Sequence, residues 1–325
     1  MDFNDIVGHE RIIKNLKNSI KKDSISHSYL FQGSEAIGKK KVAMAFSKTL
    51  LCKKGGLEPC NECSSCIKFD SGNHPDFYLI EEDGNIIRKK QIEEAIKSMI
   101  TKPLESKRKI YIIDNSFKMR VEAQNSFLKT LEEPPSYVNM ILISTSTEKL
   151  LPTILSRCEI IKFNPIKKDG ISTFLQGNYN KTVEEAEFIS SFSKGSIGMA
   201  INLSTNEEFF HRREELIKII DNIIKGDKLK VFASIDFFDE NKDFINELLD
   251  IIIYWFRDLY IFKELGNNGL IINKDKLDLL STQVSLSNDK INDIIKDVEK
   301  TRQNIERRVN YQLSIEGMLL KMQEV

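Results

Sequence analysis

The stretch that decides the fold is Gly-Ser-Glu-Ala-Ile-Gly-Lys-Lys at residues 33–40. A short apolar run precedes it, and an apolar segment of helical periodicity follows it. A strand, a glycine-rich loop and a helix form the context of a phosphate-binding loop, whose backbone N–H groups and lysine bind phosphate oxygens. Gly33, Gly38 and Lys39 are therefore the predicted nucleotide-binding residues of this loop.

One position of the loop departs from the pattern. Phosphate-binding loops carry Ser or Thr after the lysine because that hydroxyl is a ligand of Mg²⁺. This chain has Lys40 there, and an ammonium group has no lone pair with which to coordinate a cation. The sequence thus predicts the architecture of a nucleotide site from which one part of the chemistry is missing.

A second signature of the same site ends the apolar run at residues 109–113. Asp114 stands at the carboxyl end of this predicted strand, where ligands bind in parallel sheets and where phosphate-loop ATPases hold Mg²⁺. A strand-end cap is the alternative for Asp114, and the upstream loop favours the nucleotide site. Asn115 replaces the glutamate that many such ATPases use to activate water, and an amide cannot accept a proton at neutral pH.

Four cysteines in residues 52–66 predict a metal site. The ligands would be Cys52, Cys60, Cys63 and Cys66. Their short spacings suit a tetrahedral Zn²⁺ in a reducing compartment, and four protein ligands indicate a structural ion in a zinc-stapled hairpin. An unmetallated cysteine-rich loop is the alternative. His74 precedes a proline, which favours a turn residue over a further metal ligand.

Composition narrows the functional class. The chain has 325 residues, enough for two or three domains, and 48 basic residues balance 48 acidic ones. This balance argues against tight nucleic-acid binding by the whole surface. No long uncharged apolar run is present and the N-terminal residues do not resemble a signal peptide, so we expect a cytoplasmic protein.

The pattern of predicted elements changes along the chain. Strands alternate with helices up to residue 165, which predicts a parallel α/β domain. Short helices follow in residues 166–206, and long helical segments fill residues 207–325. The segment from residue 245 to 256 is apolar nearly all round and predicts a buried helix. The last segment, residues 286–322, is mostly amphipathic.

These features resemble a known family in their order along the chain. Leu-Glu-Glu-Pro-Pro at residues 131–135 and Ser-Arg-Cys at residues 156–158 complete the series. Together with the loop, the cysteine insert and the Asp114 strand, they resemble the bacterial replicative clamp-loader subunits of the AAA+ superfamily over essentially the whole chain. The resemblance implies an AAA+ phosphate-loop domain in residues 1–165, a helical lid in 166–206 and an all-α oligomerisation collar in 207–325.

Within that family the chain is similar to the delta-prime type of DNA polymerase III subunit rather than to the ATP-hydrolysing gamma/tau type. Lys40 and Asn115 depart from the motor pattern, and Gly198 aligns with a lid arginine of the motor subunits. The resemblance therefore implies a holoenzyme subunit that itself lacks polymerase and ATPase activity. ATP and Mg²⁺ binding is doubtful at its degenerate nucleotide site, which consists of Gly33, Gly38, Lys39 and Asp114.

The resemblance also assigns a role in trans to Arg157. In clamp loaders the arginine of the Ser-Arg-Cys tripeptide contacts the γ-phosphate held by the neighbouring subunit, and a guanidinium suits that task. A surface salt bridge is the alternative. The implied partners are gamma/tau and delta subunits in a hetero-pentameric ring, the sliding clamp, and primed DNA through the complex, with no membrane. Basic residues in 102–109 either touch DNA directly or form a solvated loop, and we favour the loop.

Two further interpretations are open. The first is an active gamma/tau-like motor, in which Lys41 or a shifted loop compensates for Lys40; magnesium-dependent nucleotide binding would favour it. The second is a zinc-binding interaction scaffold outside replication, which failure to join a ring with clamp-loader partners would favour.

Overall fold

The computed structural model describes residues 2–226, 228–266 and 269–323, with the backbone alone for 228–233. The chain divides into two compact units. Unit 1 comprises Met1–Phe174 and Ser193–Ala200, and unit 2 comprises Leu175–Phe192 and Ile201–Val325. The predicted lid, residues 166–206, is thus shared between the units, and the division into three domains stays a prediction. The predicted collar includes positions 227, 267, 268, 324 and 325, which lie outside the described residues.

A parallel sheet organises unit 1. In the described residues its strands are β1 (Ser28–Gln32), β2 (Phe77–Ile80), β3 (Lys109–Ile113), β4 (Val138–Ser144) and β5 (Glu159–Lys162). All pairings are parallel, and the strand order is β2-β3-β4-β1-β5. The chain leaves β1 for the far edge of the sheet and returns through β3 and β4 to lie beside β1. Because all strands are parallel, their carboxyl ends lie at one edge of the sheet, and open α/β sheets bind ligands at that edge where the strand order reverses.

The three central strands, β1, β3 and β4, are buried on both faces of the sheet. Tyr29 and Phe31 of β1 enter one hydrophobic core, and Leu30 between them enters the other. Because successive side chains of a strand point to opposite faces, a strand covered on both sides reads as a continuous apolar run. This explains why the sequence marked the central strands so clearly, and it confirms the predicted fold class.

Helices cover the sheet. Those that begin before residue 165 are α1 (Glu10–Lys21), α2 (Lys39–Leu51), α3 (Ser64–Asp70), α4 (Lys89–Met99), α5 (Val121–Glu132) and α6 (Pro152–Leu155). The predicted zinc-stapled hairpin is wrong in one respect, because its last cysteine lies on α3 and the described residues 52–66 contain no strand. The Cys63 sulfur accepts the N–H of Cys66 and so caps α3.

The remaining helices follow β5 in the sequence. They are α7 (Lys168–Tyr179), α8 (Val183–Phe192), α9 (Ile197–Thr205), α10 (Glu207–Ile224), α11 (Lys228–Glu240), α12 (Ile245–Leu265), α13 (Leu277–Thr282), α14 (Asn288–Glu306) and α15 (Tyr311–Gln323). The predicted burial of α12 is confirmed, since Trp255 is fully buried and donates its Nε1–H to Gln283 Oε1 at 2.9 Å. No helix in the described parts of the chain is both long enough and apolar enough to cross a membrane.

Candidate phosphate-loop site and cysteine cluster

The glycine-rich loop lies where the sequence predicted, between β1 and α2. Gly38 is the N-cap of α2 with φ of 106°, a left-handed conformation that glycine adopts without steric cost. Lys39 begins the helix and is only 6% exposed. Its Nζ donates to the carbonyl oxygens of Gly33 at 2.7 Å and Ser34 at 2.5 Å. The loop lysine is therefore bonded to its own loop.

Burial also changes the pKa of Lys39. Desolvation lowers the pKa of its ammonium group, and the nearby carboxylates of Asp114 and Glu35 oppose this effect. The loop carbonyls provide acceptors for the buried cation, as a buried charge requires.

Lys40 contacts the second signature of the site. Its Nζ lies 2.5 Å from Glu81 Oε1 and 3.0 Å from Asp114 Oδ2. Although burial disfavours the ammonium form, hydrogen bonds to these two carboxylates raise the pKa of Lys40. The residues at this position do not fit a Mg²⁺ ion. The hydroxyl ligand is absent, and an ammonium group already contacts the carboxylate that would hold the metal's shell.

Asn115 does not supply a base. Its backbone is left-handed with φ of 48°, its N–H donates to Asp114 Oδ1 at 3.0 Å, and its Nδ2 donates to Glu82 Oε2 at 3.4 Å. Asp114 thus lies at the end of β3 as predicted, beside the loop lysines, while the neighbouring side chain is an amide turned toward β2.

Unit 1 also supplies three donors to the loop carbonyls. Gly198 N–H donates to Ala36 O at 2.8 Å, Ser196 Oγ donates to Glu35 O at 3.2 Å, and His9 Nε2–H donates to Ile37 O at 2.7 Å. His9 and Ser196 were not predicted as part of the site. They come from segments far apart in the sequence, and no local motif marks them.

Gly198 has no room for a side chain. A Cβ built at this position would lie 2.8 Å from Ala36 Cβ and 3.0 Å from Ala36 O. An arginine, which the resemblance to motor subunits would place at this position, is therefore excluded from this arrangement of the loop.

Arg157 lies elsewhere in unit 1, on the turn between α6 and β5. Its Nη2 donates to Glu132 Oε1 at 2.6 Å, and its Nη1 donates to Thr153 O at 2.9 Å and Ser156 Oγ at 3.2 Å. The side chain keeps 32% exposure. The salt bridge that we considered as an alternative is present, with its carboxylate in the Leu-Glu-Glu-Pro-Pro turn.

The four predicted cysteines come together. The sulfur atoms of Cys52, Cys60, Cys63 and Cys66 all lie within 4.8 Å of one another, and the cysteines are free. These residues could hold a metal ion. Burial disfavours the thiolate, but the backbone N–H groups of Cys66 and Lys53 help to lower the pKa of Cys63 to about 6.

His74 is not part of this cluster, as the turn interpretation predicts. Its Nε2 lies 2.8 Å from Ser65 Oγ, and its Nδ1 accepts the N–H of Asp76 at 3.1 Å. The cluster is instead fixed to α2 through Lys48, which sequence reasoning missed. Lys48 is buried and bonds Asn61 Oδ1 and Asp70 Oδ2, each at 2.6 Å.

The basic stretch at residues 102–109 is braced by the protein itself. Asp76 accepts the backbone N–H groups of residues 104, 105 and 106 at 2.6–2.8 Å. Lys109 is buried and donates to Ser98 O and Thr101 Oγ1. Lys109 is thus committed to internal contacts, whereas Lys102 and Lys107 are exposed.

Comparisons with known proteins agree with this arrangement. Residues 8–167 match the family model described as DNA polymerase III, delta subunit, and residues 207–324 match its C-terminal model. The chain is 34% identical over 326 residues to DNA polymerase III subunit delta' of Bacillus subtilis, covering 97% of this chain and 96% of that protein. The chain belongs to the delta-prime family of DNA polymerase III subunits.

The delta-prime family is not the sole similarity. The chain is 30% identical to subunit tau of Bacillus subtilis over 306 residues, which cover 85% of this chain but only 53% of tau. The chain thus spans about half the length of that relative. Among solved structures, a gamma subunit-related protein of Thermotoga maritima aligns with a TM-score of 0.45 and 18% identity, over 96% of this chain and 98% of that one.

Proposed function

We propose that this delta-prime chain is a non-hydrolysing subunit of the bacterial replicative clamp loader. It would join gamma/tau and delta subunits in a hetero-pentameric ring, and the ring would load the sliding clamp on primed DNA in the cytoplasm. The chain would bind nucleotide weakly or not at all and would act as a fixed body against which the motor subunits move.

The state of its own loop supports a non-hydrolysing role. Lys40 holds Asp114, Asn115 offers no proton acceptor, and Gly198 leaves no space for a lid arginine. Water activation needs a base, and phosphoryl transfer needs compensating positive charge at the terminal phosphate. The chain therefore lacks three contributions to hydrolysis at a single site.

The observation that carries the proposal is the position of Arg157. Its guanidinium is partly exposed, and it is held by Glu132 at the end of α5, Thr153 of α6 and Ser156 of the turn that follows, rather than by the chain's own phosphate loop. A guanidinium held in this way is preorganised to contact a phosphate on a neighbouring subunit. Arg157 would thus act as the arginine finger of the adjacent ATP site.

Two structural assignments accompany this role. The cysteine cluster would hold a structural Zn²⁺, because its four sulfur ligands are close together and leave no ligand position open. The domain division would be an AAA+ domain in 1–165, a lid in 166–206 and an oligomerisation collar in 207–325.

The test is ATP hydrolysis by the reconstituted loader, stimulated by DNA and clamp, with the Arg157→Ala chain. We expect a loss of at least severalfold, on the order of 10³-fold for a strong finger, with assembly unchanged. Arg120→Ala is the matched control, since Arg120 is another exposed arginine of unit 1. Unchanged turnover with Arg157→Ala would refute the finger.

The identity with tau keeps a motor of the gamma/tau type as the second candidate. A motor would require magnesium-dependent ATP turnover by the isolated chain, and we expect none. A failure of the chain to enter a ring with clamp-loader subunits would instead favour a zinc-binding scaffold outside replication.

A further inference from the structure

Two carboxylates meet at the ends of neighbouring strands. β2 and β3 pair in parallel with Ile80 opposite Ile113, so the next residues, Glu81 and Asp114, lie side by side. The N–H of Asp114 donates to Ile80 O at 2.9 Å and continues the ladder to this point. Two adjacent carboxylates repel one another unless a cation lies between them.

The cation at this position is Lys40. Its Nζ lies 2.5 Å from Glu81 Oε1 and 3.0 Å from Asp114 Oδ2, so the ammonium contacts both carboxylates. A Mg²⁺ ion with its bound waters would have to lie against the same carboxylates, in the space that the ammonium occupies. The ammonium would also repel it.

We propose that the Lys40 ammonium is the resident cation of this site and that it excludes the divalent metal implied by the fold family. The positive charge beside the loop then comes from Lys39 and Lys40, and it stays constant whatever the magnesium concentration. This inference concerns unit 1 alone and does not rest on the role in the clamp loader, so its test uses the isolated full chain.

The test compares Mn²⁺ binding by the wild-type chain and by Lys40→Thr, with the cysteine cluster kept metal-loaded. Electron paramagnetic resonance measures free Mn²⁺ during a titration. We expect Lys40→Thr to bind Mn²⁺ at least about tenfold more tightly than the wild type, because it frees two carboxylates and restores a hydroxyl. Adding Asp114→Asn to Lys40→Thr should abolish the gain and so locate the ion.

Lys41→Thr is the matched control, since Lys41 is the next residue of α2 and is exposed. It removes the same charge from the same helix and should leave Mn²⁺ binding unchanged. The inference is overturned if folded Lys40→Thr gains no affinity, if Lys41→Thr gains as much, or if the wild type binds Mn²⁺ equally well. If Lys40→Thr fails to fold, Lys40→Gln replaces it and is judged by the same outcomes.

Discussion

Lys39 and Lys40, the first two residues of α2, carry the same charge but contact different groups. Lys39 is buried against carbonyl oxygens and its pKa is lowered, chiefly by desolvation. Lys40 is half-buried against two carboxylates, and its pKa is raised despite the burial. Desolvation disfavours both ammonium groups, but only Lys40 has hydrogen bonds to carboxylates that outweigh it.

Arg157 gives a residue-scale prediction that rests on its proposed role as a finger. Glu132→Gln should reduce loader ATP turnover by about two- to fivefold, because a partly exposed ion pair contributes up to about 1 kcal/mol to holding the guanidinium. Steady-state kinetics should show the loss in kcat rather than in KM, with ring assembly unchanged.

Glu133→Gln is the control for this prediction, because Glu133 is the exposed neighbour of Glu132 at the end of α5. If Arg157→Ala lowers turnover while Glu132→Gln does not, the finger stands and its positioning by Glu132 is wrong.

Within unit 2, a buried arginine links helix α10 to a segment before α13. Arg213 is 3% exposed and donates to both carboxylate oxygens of Asp275 at 2.8 Å and to Asn273 Oδ1 at 2.8 Å. Burial raises the pKa of Asp275, but the Arg213 guanidinium outweighs it and the pKa is lowered. This pair ties two elements together through one charge.

Asp275→Asn should therefore destabilise unit 2 at pH 7 by roughly 1–2 kcal/mol, reduced from the value of a fully buried pair because Asp275 is partly exposed. The folded-state pKa of Asp275 lies below 3.8, the ordinary value of a free aspartate, so the stabilisation is complete above pH 3.8. It is lost as the pH falls through the folded-state pKa.

Urea unfolding followed by Trp255 fluorescence at pH 7 and at successively lower pH measures this difference. The wild type and the variant should converge in acid. A gap that persists unchanged far below pH 3.8 would contradict the assignment, since protonated Asp275 resembles asparagine in charge.

Elements with uninterrupted apolar periodicity were predicted closely. The strand predicted from the apolar run at residues 109–113 is β3, and the helix predicted at residues 245–256 forms the first part of α12. The short helix α3 was missed because glycines, a proline and cysteines surround it. The final amphipathic segment forms two helices, α14 and α15, with a break between them at which Arg308 adopts a φ of 60°. The break was not predicted because the apolar periodicity continues across it.

In the candidate site too, features marked by a local sequence pattern were predicted, and contacts between distant segments were not. The loop, the Asp114 strand and the four cysteines are local patterns and were found from the sequence. The pairing of Lys40 with Glu81 and the loop contacts of His9 and Ser196 join distant segments. Such contacts are specified by the packing of the whole unit, and no spacing rule reveals them.

At the scale of the whole molecule, each unit contains a feature through which its unfolding can be followed. The cysteine cluster belongs to unit 1, and the one tryptophan of the chain, Trp255, belongs to unit 2. Metal binding by thiolates contributes folding free energy to the region that holds the ion. The effect of the metal on each unit can therefore be followed separately.

On the proposed zinc assignment, chelation should lower the unfolding midpoint of the cysteine-cluster region of unit 1, measured by proteolysis near residues 52–66. The midpoint reported by Trp255 should stay nearly unchanged. Cys60→Ser should reproduce the chelated state, and Cys158→Ser, which changes a cysteine outside the cluster, should not. An equal shift of the Trp255 midpoint would contradict a local role for the metal.

The close approach of Gly198 to Ala36 bears on any attempt to engineer a motor from this chain. Arginine at 198 cannot be introduced without moving the backbone, because its Cβ has no space. Glutamate at 115 would have to adopt the left-handed conformation in which Asn115 has a φ of 48°, and this conformation favours asparagine. Two of the three changes, at residues 40, 115 and 198, therefore need a different backbone as well as a different side chain. A designer would have to rebuild the 195–198 turn first, and a library of single substitutions would not find an active enzyme.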